Sequence, residues 1–300
     1  MEVYLQQLIN GVQYGSIYAL IAVGYTMVYG VLRLINFAHG DIYMLGAFVA
    51  YYVVTGLALH QHPSVGNFLF VLIVSMAVCA LAGVLIERLA YRPIRNAPRL
   101  TALITAIGVS LLLENGGIVV FGADPKYIPT VLQSSVAPRG GLYISEGQVI
   151  MLAASVLFML ILRFIVMSTR FGRAVRAISY DIDAARLMGI DVDRAITLTF
   201  ALGSALAGAA GMMVATFTSV KITPLFGLLP GVKAFVAAVL GGIGNIPGAV
   251  LGGILMGIIE AFVGGSALTT YRDAIAFMIL IIVLLLRPGG ILGKAVVEKV

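Results

Sequence analysis

The chain has 300 residues, of which 61% are hydrophobic and only 11% charged, with a mean hydropathy of +1.06. A water-soluble domain carries about 25% charged residues, so a soluble enzyme is excluded; at about 20 apolar residues per crossing the length allows about eight or nine crossings and no separate catalytic domain. The net charge of +6 would suit nucleic acid in a soluble protein, but in a membrane chain it points to basic residues gathered in cytoplasmic loops.

The expected class is all-α: one transmembrane domain over 1–300, built as a polytopic helical bundle. The opening MEVYLQQLINGVQYG has no basic region before its apolar stretch, which reads as an uncleaved first span. Apolar runs predict helices near 8–32, 41–59, 66–86, 100–121, 147–166, 195–220, 232–264 and 273–287. Cys79 is the only cysteine, so neither a disulfide framework nor a thiolate cluster is available, and it reads as lipid-facing or core packing. With no Trp, the 13 Tyr are left to anchor the interfaces. His39-Gly40-Asp41 and His60-Gln61-His62 lack the further ligands of a metal site. The second of these reads as an exposed turn, and Asn36 to Asp41 as a break between spans with Asn and Asp as caps.

Arg88, Arg92, Arg95 and Arg99 follow the third run, and Arg170, Arg173, Arg176, Arg186 and Arg194 follow the fifth; both loops should be cytoplasmic. Alternation then puts 60–65, 122–146 and the N-terminus outside, while Arg287, Lys294 and Lys299 put the C-terminus inside. An outside start and an inside end require an odd number of crossings, yet the runs number eight. The resolution is that 232–264, interrupted by GGIGNIPG (Gly241 to Gly248), crosses twice as short or half-spans, giving about nine. A break of this kind belongs inside a bundle or beside a water-filled path. On that count 14 of the 19 basic residues lie inside.

Small residues recur four apart at Gly11–Gly15, Gly203–Ala207–Gly211, Gly244–Gly248–Gly252 and Gly253–Gly257, a spacing that packs helices closely or lets them slide as a gate. Glu114 and Glu260 lie within apolar runs and should face the bundle interior, a cavity or a partner. With no intramembrane Lys or His beside them, a proton relay gains little support.

The polar island 167–194 has helical order: Ala174, Ala177, Ile178, Asp181, Ala184, Ala185 and Met188 on one side, Arg173, Arg176, Tyr180, Asp183 and Arg186 on the other. Gly172 and Gly189 bracket it. One amphipathic helix at the membrane face is expected. Asp183-Ala184-Ala185 with Gly189-Ile190 resembles the E-A-A-x-x-x-G loop of ABC importer permeases, with Asp for Glu.

Asn10 to Asp41 (NGVQYGSIYALIAVGYTMVYGVLRLINFAHGD), TRFGRAVRA with AARLMGI, and GGIGNIPGAVLGG, in that order, resemble the smaller permease type of the high-affinity branched-chain amino acid ABC transporters. The resemblance covers essentially the whole chain. It implies an inner-membrane subunit that works with a second permease chain, usually a related longer partner, two ATPase subunits and a periplasmic solute-binding protein, and that carries no cofactor. It also implies that Gly172, Arg173, Arg176, Asp183, Ala184, Ala185 and Gly189 couple to the ATPase. The first span and the break at 241–248 are candidates for the path, with Asn36, His39, Glu114, Gly244, Asn245, Pro247 and Glu260 as candidate path or gate residues.

The chain has no phosphate-binding loop of its own. The nearest string, Gly289-Gly290-Ile291-Leu292-Gly293-Lys294-Ala295, has Pro288 where the first glycine should stand and Ala295 where the hydroxyl should be. The competing readings are an ATP-independent carrier, a non-transport scaffold, or an ABC permease for a urea, an amide or a sugar. A reporter fused after Val300 is expected to read as cytoplasmic; export of that reporter would overturn the parity argument.

Overall fold

The computed structural model describes residues 2–95, 97–133, 136–139, 142–287 and 289–293. The described chain is helical apart from one antiparallel hairpin. Its helices are α1 (Glu2–Leu32), α2 (His39–Gly56), α3 (Val65–Ile86), α4 (Arg99–Phe121), α5 (Glu146–Ser168), α6 (Arg170–Tyr180), α7 (Ile182–Leu187), α8 (Val192–Phe217), α9 (Leu228–Gly241), α10 (Ile246–Gly264) and α11 (Arg272–Leu286). The hairpin pairs β1 (Val136–Arg139) with β2 (Leu142–Ser145) inside the 122–146 segment.

Seven helices, namely α1, α3, α4, α5, α8, α10 and α11, are long and apolar enough to cross a membrane. The helix α2, and α9 with the segment before it, complete the route between the two ends, so among the described residues the chain runs through the bundle nine times. The 232–264 run does pass twice, as α9 and α10. Gly241 to Gly248 do not form a mid-bundle junction of half-spans, however. They make the turn of a helical hairpin at the end that also holds the arginine-rich segments, called here the basic end.

Two other breaks lie within the bundle. After α1 the chain turns at Arg33 (φ 52°) and runs back inward, with Asn36 and His39 buried, before α2 starts. After α8 it turns at Ser219 (φ 49°), pairs Ile222 with Lys126 in a β-bridge, and re-enters to start α9 at Leu228. Each turn holds a non-glycine residue in the left-handed region, which costs about 1–2 kcal/mol. At 14 residues α9 is about 21 Å long, short of the ~30 Å hydrocarbon core.

Local chemistry sets most other boundaries. Ser64 caps α3, and Ser145 with Gln148 forms a capping box on α5. Thr169, Asp181, Asp191 and Asn245 cap α6, α7, α8 and α10. Asp181, whose carboxylate accepts from the amides of Asp183 and Ala184 at 2.9 Å each, splits the expected single amphipathic helix of 172–189 into α6 and α7. The string at 289–293 finds a structural use: Ile291 and Leu292 amides donate to the Leu240 and Gly241 carbonyls (2.9 and 3.1 Å), closing the C-terminal end of α9. Pro288, Lys294, Ala295 and Lys299 lie outside the described residues.

The interior is made of α1, α2, α8 and α9, while α4 and α11 expose most of their surface. Water gives no apolar drive between helices in lipid, so close approach does the holding. The predicted small faces meet in pairs: a Cβ on Gly11 would come 2.6 Å from Ile258 Cα, and one on Gly15 2.7 Å from Ile254 Cα. Gly257 lies against the Gly15 amide, and Gly248 and Gly252 pack on α9. Gly244 instead takes φ +92° in the hairpin turn, where an added Cβ would meet nothing within 4 Å. Cys79 is core, with Gly208 against it. Tyr18, Tyr25, Tyr43 and Tyr91 are buried too, so these four do not serve as interface anchors.

Gly257→Ala is expected to lower stability in detergent by about 1–3 kcal/mol by overpacking. Gly116→Ala, where nothing lies within 4 Å of the added methyl, should leave it unchanged or slightly higher; thermal melts of the two purified variants check the contrast.

Candidate functional site

Two regions collect the candidate residues. The first is at the basic end, where α5 turns into α6. The Arg176 guanidinium donates to the Val166 carbonyl, and Gly172 is buried against the Ile165 and Val166 carbonyls, where any side chain would collide. Both are parts of this elbow. Arg173 is exposed. Ala185 is buried under α7, while Ala184 and Asp183 face outward, with Asp183 3.5 Å from Arg186. Gly189, at φ +79°, ends α7: its amide reaches the Arg186 carbonyl (3.0 Å) and the Ile190 amide reaches that of Ala185 (3.1 Å). This is a left-handed helix stop, which favours glycine. Beside it Tyr180, Leu187 and Met188 stand 90%, 89% and 81% exposed. Met188 therefore does not join a buried face, which consists of Gly172, Val175 and Ile178 on α6 and Ala185 on α7.

The same end is locked between α3 and α8. A short π-helical turn at Glu87–Tyr91 extends α3. Buried Glu87 pairs with Arg95 and accepts from Thr197 Oγ1 at 2.8 Å, and Arg92 and Arg95 both bind Asp193.

The second region is where the chain re-enters. Gly40, at the start of α2, meets Gly227 and Gly231, at the start of α9, backbone on backbone: a Cβ on Gly40 would lie 2.7 Å from the Gly227 oxygen. Next to this crossing is a cavity of about 50 Å³ lined by Tyr25, Phe37, Asp41, Ser110, Leu228, Val232 and Phe235 with the three glycines. A cavity that size holds a water or a small polar group. Asp41 Oδ2 accepts from Ser110 Oγ at 2.5 Å. Tyr25 and Phe235, with ring centroids 6.1 Å apart, separate it from a smaller cavity lined also by Tyr29, Ile35, Ala238 and Ile243.

Asn36 and His39 sit at the break itself. Asn36 Oδ1 accepts from the Tyr91 hydroxyl at 3.0 Å, and the His39 ring lies edge-on to Tyr25 with centroids 4.7 Å apart. Glu114 is buried on α4, one turn beyond Ser110. Gly244, Asn245 and Pro247 belong to the α9–α10 turn at the basic end, where Asn245 caps α10 and bonds the Leu292 carbonyl at 2.8 Å; they do not line the cavity.

Glu260 is not isolated. Lys233 Nζ lies 2.7 Å from its Oε1 and 2.6 Å from Asp273 Oδ1, and Arg272 Nε lies 2.8 Å from the same Glu260 oxygen. The interior therefore contains a lysine, which overturns the expectation of none; Lys233 stands two residues into its apolar run and is easily counted as loop. Asp41 is likewise easily taken for a mere cap. The spacing of four from Gly227 to Gly231, just before that run, is the signal that marks the second re-entrant start.

The profile described as "Branched-chain amino acid transport system / permease component" matches residues 7–284. The high-affinity branched-chain amino acid transport system permease protein BraD of Pseudomonas aeruginosa is 45% identical, over 99% of this chain and 98% of its own length. LivH of Escherichia coli, of the same description, is 43% identical over the same shares. The autoinducer 2 import system permease protein LsrC of Yersinia pseudotuberculosis is 28% identical over 90% of this chain and 73% of its own. No solved structure matches the chain.

Removing one partner of a buried ion pair leaves an uncompensated charge, a loss of about 3–5 kcal/mol. Lys233→Met is expected to destabilise on that scale, and Lys233→Met with Glu260→Gln to recover part of it. A double-mutant cycle by thermal melting, completed by Glu260→Gln alone, reads the coupling, and losses that simply add in the double variant would show the pair to be idle.

Proposed function

The chain belongs to the family of branched-chain amino acid transport system permease components, and from that membership we propose that it carries branched-chain or similar apolar amino acids inward as the membrane subunit of an ABC importer. Energy comes from separate ATPase subunits, substrate from an extracytoplasmic binding protein, and the second half of the pore from another permease chain, a related but distinct one. The basic end faces the cytoplasm, since basic residues collect on that side, and the N-terminus lies outside.

The observation that carries the coupling is the exposed apolar edge of α7. Leu187 and Met188 project from the end of a helix capped at one end by Asp181 and stopped at the other by Gly189, and Tyr180, the last residue of α6, is exposed just before it. Exposed apolar groups on a rigid element at the basic end suit a docking partner rather than water. Arg173, Asp183 and Ala184 flank this edge, while Gly172, Arg176 and Ala185 hold α6 and α7 in place beneath it. Displacement of α7 is passed directly to α5 through the Arg176 elbow and to α8 through the short turn at 189–191.

Access then alternates by a shift between two packings, as a ligand or ATP-driven closure favours one of them. The re-entrant starts of α2 and α9 are the elements suited to move, because each is joined to the bundle by an extended segment rather than a continuous helix. Asn36, His39 and Glu114 lie around that junction; Glu260 tethers α9 through Lys233.

Met188→Asp and Leu187→Asp, both at exposed positions, should leave insertion intact and abolish copurification with the ATPase subunit and ATP-dependent leucine uptake in proteoliposomes. Gly189→Val, which forces a β-branched residue into the left-handed region, should uncouple hydrolysis from uptake. Undiminished transport in all three would count against the coupling assignment, and uptake by this chain alone would favour an ATP-independent carrier.

A further inference from the structure

Four acids are buried in the described interior: Asp41, Glu87, Glu114 and Glu260. Two are neutralised, Glu87 by Arg95 and Glu260 by Lys233 and Arg272. Asp41 and Glu114 are not. Among the described residues no basic group lies within ion-pair distance of either, although Asp41 is only 2% exposed. Leaving a carboxylate bare in a low-dielectric interior costs several kcal/mol, whereas this protein pairs such groups elsewhere.

Asp41 also differs in what it faces. Its side chain lines the cavity at the crossing of α2 and α9, with Ser110 donating to one oxygen. Buried polar groups are normally satisfied, and a buried acid that faces a cavity with a single side-chain donor marks a place suited to a group that brings its own donors. The start of α9, at Gly227 with no side-chain cap, turns the positive end of its helix dipole toward the same space. Phe37, Val232 and Phe235 supply apolar walls.

We propose that this cavity is a subsite for the charged head of an apolar α-amino acid. The Asp41 carboxylate, oriented by the Ser110 hydroxyl, is the counter-ion of the substrate ammonium, and Glu114 adds negative potential behind it. The start of α9 faces the substrate carboxylate. At about 50 Å³ the space takes the head group and not a whole leucine, so the Tyr25–Phe235 contact parts to admit the side chain. This assignment rests on the permease reading above and adds to it the group of the substrate that the membrane subunit itself recognises.

The test uses the whole complex in proteoliposomes, with Cys79, the chain's only cysteine, replaced by Ala and a single reporter thiol introduced as Ser110→Cys. During turnover, an ethylammonium methanethiosulfonate should label position 110 about tenfold faster than its ethylsulfonate counterpart, as a local negative charge concentrates cations. Adding Asp41→Asn should abolish that preference, and saturating leucine with its binding protein should protect the thiol while sodium chloride should not. In the otherwise native chain, Asp41→Asn should cut leucine uptake about tenfold while ATP hydrolysis stimulated by the loaded binding protein persists.

Equal labelling by both reagents, no labelling by either, or a preference that survives Asp41→Asn would overturn the subsite. Protection by sodium without protection by leucine would make it an inorganic cation site and overturn the proposal too. If the complex with the native chain imports no leucine, yet the Ser110→Cys reporter shows a cation preference that Asp41→Asn removes and another primary amine blocks, the ammonium site stands and the substrate reading fails.

Discussion

Gly40 and Gly227 touch through their backbones, and the rest of the architecture is arranged around that contact. A chain inside lipid must satisfy its backbone polar groups internally, so extended segments are tolerated at depth only where protein surrounds them. This protein has two, the stretch before α2 and the stretch before α9, and the absence of side chains at Gly40, Gly227 and Gly231 lets the two helix starts cross there. Around them α1 and α8 supply a sheath of Gly, Ala and Ser, and α10 closes on α1 through a second glycine contact. The helices with the least buried surface, α4 and α11, stand outside this nucleus.

Placing the breaks inside has an electrostatic consequence. α9 is held on one side by apolar and backbone contacts to α1 and α2, and on the other by Lys233, whose charge is shared between Glu260 of α10 and Asp273 of α11. That network is balanced in charge and ties a short helix to the outer ends of two long ones. The cavity beside the start of α9 is not balanced: Asp41 lines it, and among the described residues no basic group pairs with Asp41 or with nearby Glu114. A half-helix tethered by a closed ionic network and facing an open one is suited to binding a charged solute and to moving as it binds. The basic end carries a separate lock, Glu87 with Arg95 and Asp193 with Arg92 and Arg95, which joins α3 to α8 next to the exposed edge of α7.

Much of this was legible in the sequence. The spans follow from runs of apolar residues, and the odd number of traverses from the unequal distribution of arginine. The Gly11–Gly15 and Gly253–Gly257 spacings point directly at the α1–α10 contact, because residues four apart share a helix face whatever the partner. Glu114 and Glu260 were recognisable as interior by cost alone. The break at Gly241 to Gly248 was legible as a break but not by depth: the same Gly and Pro chemistry that opens a helix in mid-membrane also turns a hairpin at its end. Asp181 shows a similar limit, since an aspartate on a helical face reads the same whether it stays on that face or caps the next helix.

What the sequence determined by itself is what depends on local composition: the membrane environment, the approximate spans, and the small faces where helices must approach; the capping expected of Asn36 and Asp41 is not made, since α2 starts after Ala38 without a side-chain cap. What only the tertiary structure decided is which separated residues meet. Lys233 is a loop residue until α10 and α11 bring Glu260 and Asp273 against it, and Asp41 is a helix-terminal acid until α4 brings Ser110 to it and, among the described residues, no basic one follows. The reason is physical. Burial cost belongs to one side chain and can be read at its position, whereas compensation belongs to a pair and exists only once the chain has returned to the same place.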